Sequence, residues 1–140
     1  MGPVVPVECS IPGAYLDEGF PFEDAKRILA AAKDNQKYWY GDFYALTAQT
    51  TTDDAWCAYQ LHRPDLNAGI AVVFRRGNSN YTGLEGALRG LVPGQTYAIE
   101  LGESEAAAEK MSAEKLSAGV ELRLPQKGSS QIIRYKVVGL

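Results

Sequence analysis

Cysteine is scarce in this chain: Cys9 and Cys57 are the only two among 140 residues. A pair so far apart makes neither a zinc site nor a disulfide framework, and two buried free thiols are the simplest reading. Histidine is scarcer still, with His62 alone. No run of about 18 apolar residues occurs, which excludes a membrane-spanning helix. The opening Met1-Gly2-Pro3-Val4-Val5-Pro6 has neither a basic flank nor a long apolar stretch, so no secretory signal is expected. Positive charge is not in excess either: 14 Lys and Arg stand against 17 Asp and Glu, a net charge of −3. The basic residues are scattered one or two at a time, which leaves no footprint for nucleic acid or an anionic membrane. HExxH, a phosphate-cradling glycine loop and an EF-hand loop are all missing, and no cofactor or metal is expected.

What is present is the balance of one soluble globular domain, with 46% hydrophobic and 22% charged residues. Residues 1–21 carry Pro3, Pro6, Pro12 and Pro21 and no sustained period, so they should be irregular. From Phe22 the pattern changes. Phe22, Ala25, Leu29 and Ala32 recur at spacings of three and four, with Ile28 beside them, and Glu23 and Asp24 occupy the first turn. An amphipathic helix over 22–37 follows. Beyond Gly41 the helical period vanishes. Strands are expected at 54–62, 69–76, 82–90, 96–102, 120–124 and 130–138. In the last two the alternation is clean: Val120, Leu122 and Leu124 oppose Glu121 and Arg123, and Ile133, Tyr135 and Val137 oppose Arg134 and Lys136. Such alternation predicts antiparallel sheets wet on one face. The fold expected is mainly β, an antiparallel β-sandwich of Greek-key type preceded by one amphipathic α-helix. The stretch 103–117 mixes signals, with an edge strand near 109–111 and a helical turn near 113–116.

Chemistry is thin. Asp53-Asp54 is the one adjacent Asp pair, and in a turn such acids usually bond their own backbone. Cys57 and His62 are an odd number of residues apart, so one regular strand places them on opposite faces. A lone His on a strand is more often a surface or capping group than a catalyst, and no third residue completes a triad. Two positive signals remain. Leu91-Val92-Pro93-Gly94-Gln95-Thr96-Tyr97 fits the turn-then-Tyr pattern of sandwich domains, in which the hydroxyl ties back to upstream backbone. Tyr97 is therefore the candidate structural corner. Tyr38, Trp39, Tyr40, Phe43 and Tyr44 crowd into seven positions. Core or inter-domain packing is the first reading of this cluster, and a sugar-stacking platform on Trp39, Tyr40, Phe43 and Tyr44 is the sharper one.

The string Tyr40-Gly41-Asp42-Phe43-Tyr44-Ala45-Leu46-Thr47, with Asp54-Ala55-Trp56-Cys57-Ala58-Tyr59-Gln60-Leu61-His62-Arg63-Pro64-Asp65 and Gly69-Ile70-Ala71-Val72-Val73-Phe74-Arg75-Arg76, resembles the C-terminal region of bacterial α-galactosidase-like glycoside hydrolases of the melibiase type. The likeness runs over roughly residues 20–138. The family's PLTPYS-like segment is here Ala45-Leu46-Thr47-Ala48-Gln49-Thr50, without its prolines, and its Ser-Gly before the last strands is Ser112-Ala113. The resemblance implies that residues 1–40, helix 22–37 included, are the end of a (β/α)8 catalytic barrel and that residues 41–140 are the C-terminal β-sandwich. The family's catalytic aspartates lie upstream on barrel strands and match nothing here, so the chain is expected not to be an enzyme. Retaining glycosidases hold two carboxyls about 5–5.5 Å apart, and nothing here supplies such a pair. The expected partner is the barrel of a parent chain, with a homodimer through helix 22–37 where that face is left uncovered. The alternative is a free-standing carbohydrate- or protein-binding module of fibronectin-III type.

Overall fold

The structure, a computed structural model, describes residues 18–102 and 108–139. Cys9 and most of the proline-rich start lie outside them. The chain divides into two compact units, Met1–Tyr40 and Gly41–Leu140.

In the first unit, helix α1 spans Phe22–Asn35 and tightens into a 3-10 turn at Gln36–Tyr38. Pro21 sits at its N-cap, Glu23 and Asp24 lie in the first turn, and Lys33 lies in the last, which complements the helix dipole. Ion pairs Lys26–Glu23 (2.7 Å) and Arg27–Asp24 (3.2 Å) are solvent-exposed and contribute little. The expected helix over 22–37 thus holds to Asn35. Its last residues switch to i→i+3 bonding, with the Trp39 amide donating to the Gln36 carbonyl at 3.1 Å. Asn35 and Tyr38 are buried, whereas Phe22, Ile28 and Leu29 are exposed.

The second unit is an antiparallel β-sandwich. Its strands are β1 Asp42–Ala45, β2 Cys57–Arg63, β3 Ala68–Arg75, β4 Gly83–Gly86, β5 Thr96–Leu101, β6 Glu109–Ser112, β7 Val120–Arg123 and β8 Ser129–Val137, with a short helix α2 at Ala113–Ala118. The larger sheet runs in the order β1-β2-β3-β8-β5-β6, and β4 pairs with β7 in a second sheet. All pairings are antiparallel. The last strand in sequence, β8, is therefore central. Trp56, Val73, Leu88, Tyr97, Leu116, Ile133 and Tyr135 form the core, against which Leu84, Val120 and Leu122 of the small sheet pack. Helix α2 starts with Ser112 Oγ accepting from the Lys115 amide at 3.2 Å and buries Ala113 and Leu116.

Four expectations need correction. The strand over 82–90 stops at Gly86. Beyond it the Leu88 amide bonds the Leu116 carbonyl at 2.9 Å, and the Arg89 backbone bonds a side chain. The strand over 54–62 starts only at Cys57, because Trp56 turns its indole N–H to the Tyr81 carbonyl at 3.0 Å. Strand β1 formed where the sequence showed only aromatic crowding. Finally, the large sheet is not wet on one face along β3. Ile70 and Val72 on one side are buried, as are Ala71 and Val73 on the other.

Candidate functional site

Strand alternation splits the aromatic cluster. In β1, Phe43 pairs with Leu61 and Tyr44 with Gln60, so the two rings point to opposite faces. Phe43 lies on the outer face, half-exposed, and stacks on Tyr59 at 5.8 Å between centroids; Tyr59 in turn lies 6.4 Å from Phe74. Phe43, Tyr59 and Phe74 therefore make an aromatic row across β1, β2 and β3. Tyr59 and Phe74 were not among the candidates, although they fall at alternate positions with Cys57 and Leu61, and with Ile70 and Val72. Burial, with Cys57 beside it, pushes the Tyr59 phenol up. Trp39, half-buried, and Tyr40, 83% exposed, belong to the first unit.

The inner face carries a buried polar chain. Gln60 Nε2 donates to the Arg89 carbonyl (2.8 Å) and to the Tyr135 hydroxyl (2.6 Å), while the Arg89 amide donates to Gln60 Oε1 (2.8 Å). The Tyr135 hydroxyl, which thus accepts from Gln60, also lies within hydrogen-bond distance of His62 Nδ1, at 3.0 Å. The geometry needs glycine at 69. A Cβ there would overlap the Tyr135 ring and the Leu61 carbonyl, so only a bare backbone lets the ring cross β3. Gly90, at φ +73°, lies against the His62 ring in the same way. Burial holds the His62 pKa below its ordinary value, with Asp42 and the Gly90 backbone partly opposing.

His62 is 1% exposed, which corrects its reading as a surface or capping group. Cys57 sits on the opposite face of β2, half-buried, so the two form no dyad.

The loops at one end of the sandwich are laced together. Buried Arg75 donates to the carbonyls of Leu124 (2.9 Å), Pro125 (2.5 Å) and Ser79 (3.0 Å). Arg76 reaches the Thr50 and Thr52 carbonyls. Asn78 Nδ2 donates to Asp53 Oδ2 at 2.6 Å, and the Asn78 amide donates to the Asp53 carbonyl at 3.1 Å. Asp53 is thus committed to holding the loop. Tyr97 is fully buried, and its hydroxyl accepts from the Val92 amide at 3.0 Å. Among the described residues, no three His, Cys, Asp or Glu side chains gather to hold a metal, and no helix is long and apolar enough to cross a membrane.

No protein-family model matches the chain, and no curated protein does. Among solved structures, it is similar to the crystal structure of a GH36 α-galactosidase, a variant of AgaA from Geobacillus stearothermophilus in complex with raffinose. The TM-score is 0.66 at 24% identity, over 83% of this chain and 16% of that one. The chain therefore spans about one-sixth of the length of the enzyme it matches. Its fold is therefore similar to that of one segment of this α-galactosidase.

Proposed function

We propose that this chain is the non-catalytic C-terminal β-sandwich of an α-galactosidase-like glycoside hydrolase, with residues 1–40 contributing the last helix of its barrel. The sandwich buttresses the barrel and turns over no substrate. The observation that carries this reading is the second apolar face of the large sheet. On the outer face of β1–β3, Leu61, Ile70 and Val72 are buried within this chain, and Phe43 (52%) and Phe74 (38%) beside them stay exposed, where a free-standing antiparallel sheet would present polar side chains. A sheet apolar on both faces is suited to lie between two layers. Sandwich fold, likeness to a hydrolase segment and the YGDFY…WCAYQ…FRR string all agree with that role.

The test has two arms. The chain incubated with a chromogenic α-galactoside should match the uncatalysed blank, and the flanking gene region should encode an in-frame barrel. Turnover abolished by Asp53→Asn would overturn the non-catalytic reading.

A second reading, a free-standing binding module of fibronectin-III type, is favoured by the exposure of Tyr40 (83%) and Phe43 (52%). Loss of carbohydrate binding in Trp39→Ala, Tyr40→Ala or Phe43→Ala would support it over the buttress, and Tyr44, on the inner face, should be indifferent. The exposed Phe22, Ile28 and Leu29 also suit a homodimer through α1. Ile28→Glu with Leu29→Lys would then give monomers in sedimentation while the β-type circular dichroism persists.

A further inference from the structure

A groove of about 400 Å³ opens between the loop after β1 and the start of β4, lined by Thr47, Thr50, Asp54, Trp56, Tyr81 and Leu84. We infer that this groove binds a neutral sugar, with one pyranose face laid on the Tyr81 ring and its hydroxyls on Asp54. The inference goes beyond the accessory role and does not depend on a barrel.

The lining selects the ligand class. Tyr81 is 76% exposed, a large aromatic surface left in water beside a concavity. Trp56 forms a fixed wall, 6% exposed and tied by its indole N–H to the Tyr81 carbonyl. Among the described residues, no hydrogen bond or ion pair engages the Asp54 carboxylate. Its oxygens are free to accept strong, charge-assisted hydrogen bonds. Thr47 Oγ1 already accepts from the Ala58 amide at 3.0 Å, so its hydroxyl proton is available to donate. No Lys or Arg lines the groove, which excludes phosphate, sulfate and carboxylate ligands. A purely apolar ligand would strip water from Asp54 without compensation. What fits an aromatic face, a bare carboxylate and hydroxyl donors is a polyol with an apolar face, which describes a pyranose.

The site also exists before its ligand. Arg76 pins the Thr50 and Thr52 carbonyls, Asn78 pins Asp53, and Arg75 ties Ser79 to the 124–125 turn. Little ordering cost remains to be met on binding. The volume lies near the lower end of the roughly 300–1,000 Å³ of small-ligand sites. Because the groove is open, much of the ligand stays in water and the dissociation constant should be roughly millimolar.

The full chain, labelled with nitrogen-15, is titrated with methyl α-galactopyranoside, methyl α-glucopyranoside and, separately, choline chloride. Saturable shifts of the Trp56 indole N–H and of amides in 48–55 and 81–84 are expected with at least one glycoside. Tyr81→Ala and Asp54→Asn should each weaken binding by roughly tenfold, the loss of one good contact. Both side chains are exposed, so unchanged melting curves will show that the variants fold. Three results overturn the inference: no saturable shift below about 50 mM, where an affinity would be negligible; shifts insensitive to both substitutions; or shifts with choline alone, which would make the groove an organic-cation site. Failure here leaves the accessory reading standing, and a chain unconnected to any hydrolase would leave the groove standing.

Discussion

Gly69→Ala adds one methyl group where the Tyr135 ring crosses β3, and the cost can be worked from the surroundings. The new carbon overlaps both the ring and the Leu61 carbonyl. Forcing a methyl into such a site costs about 1–3 kcal/mol in overpacking. A ring pushed aside also withdraws its hydroxyl from His62 Nδ1 and Gln60 Nε2. Gln60 keeps its bond to the Arg89 carbonyl, but the buried His62 nitrogen does not find another partner, which adds roughly 1–3 kcal/mol. The stiffer unfolded chain returns about 0.4–1 kcal/mol. The net loss should be about 3–4 kcal/mol, a large part of the roughly 5–15 kcal/mol that holds a typical domain. Urea melts followed at the sheet's circular-dichroism signal would measure it. With a slope of about 1–3 kcal/mol per molar urea, the midpoint should fall by about 2 M. Tyr135→Phe, which keeps the ring and removes only the hydroxyl, should cost roughly 1–3 kcal/mol for the stranded His62 nitrogen. A Gly69→Ala loss below about 1 kcal/mol would show that the ring does not cross there, and the account of the buried polar chain would be wrong.

Three further outcomes are expected. His62 titrates near 6.5 when unfolded and lower when folded, so between those values the unfolded state binds more protons. Stability should be flat above about pH 7 and fall on acidification by at most about 1.4 kcal/mol per pH unit, a slope that His62→Gln should remove in pH-resolved melts. Tyr97→Phe should cost roughly 0.5–1.5 kcal/mol, the hydrogen bond from the Val92 amide, whereas Tyr97→Ala should cost about 3–5 kcal/mol for the emptied core site; equal, near-zero costs would contradict the burial of the ring. Arg75→Met should cost about 3 kcal/mol or more by stranding the Leu124, Pro125 and Ser79 carbonyls, and Arg75→Lys should rescue little, since an ammonium cannot span them as the planar fork does.

The strands were legible wherever side chains alternate in polarity, as in β7 and β8, because a half-buried sheet imposes that period. Strand β1 was not. Asp42–Ala45 is four residues long, sits at an edge, and pairs with residues of β2 beyond a long loop. Its register, and hence the separation of Phe43 from Tyr44, depends on a partner that local sequence does not show. His62 was misjudged for a related reason. Its burial depends on Gly69, Gly90 and Tyr135, which are remote in sequence and meet only once the sheet forms. The 82–90 segment looked continuous, yet Gln60 takes over the backbone groups of Arg89 that a strand would have used. Lone polar residues inside strands, Gln60 and His62 together, were the available hint of a buried network.

The central position of β8 has a consequence for how the sandwich is made. As the chain emerges during synthesis, β3 and β5 both appear before the strand that joins them, leaving two open hydrogen-bonding edges in the middle of the future sheet. The β3 edge is also the most apolar segment of the chain, with a register to β8 that links Ala68 to Lys136. The large sheet cannot close until those last residues arrive, so this unit must fold after, rather than during, its own synthesis. Pairings of such long sequence separation are slow to form. Throughout that interval the β3 edge is the natural target for misassembly and for chaperones.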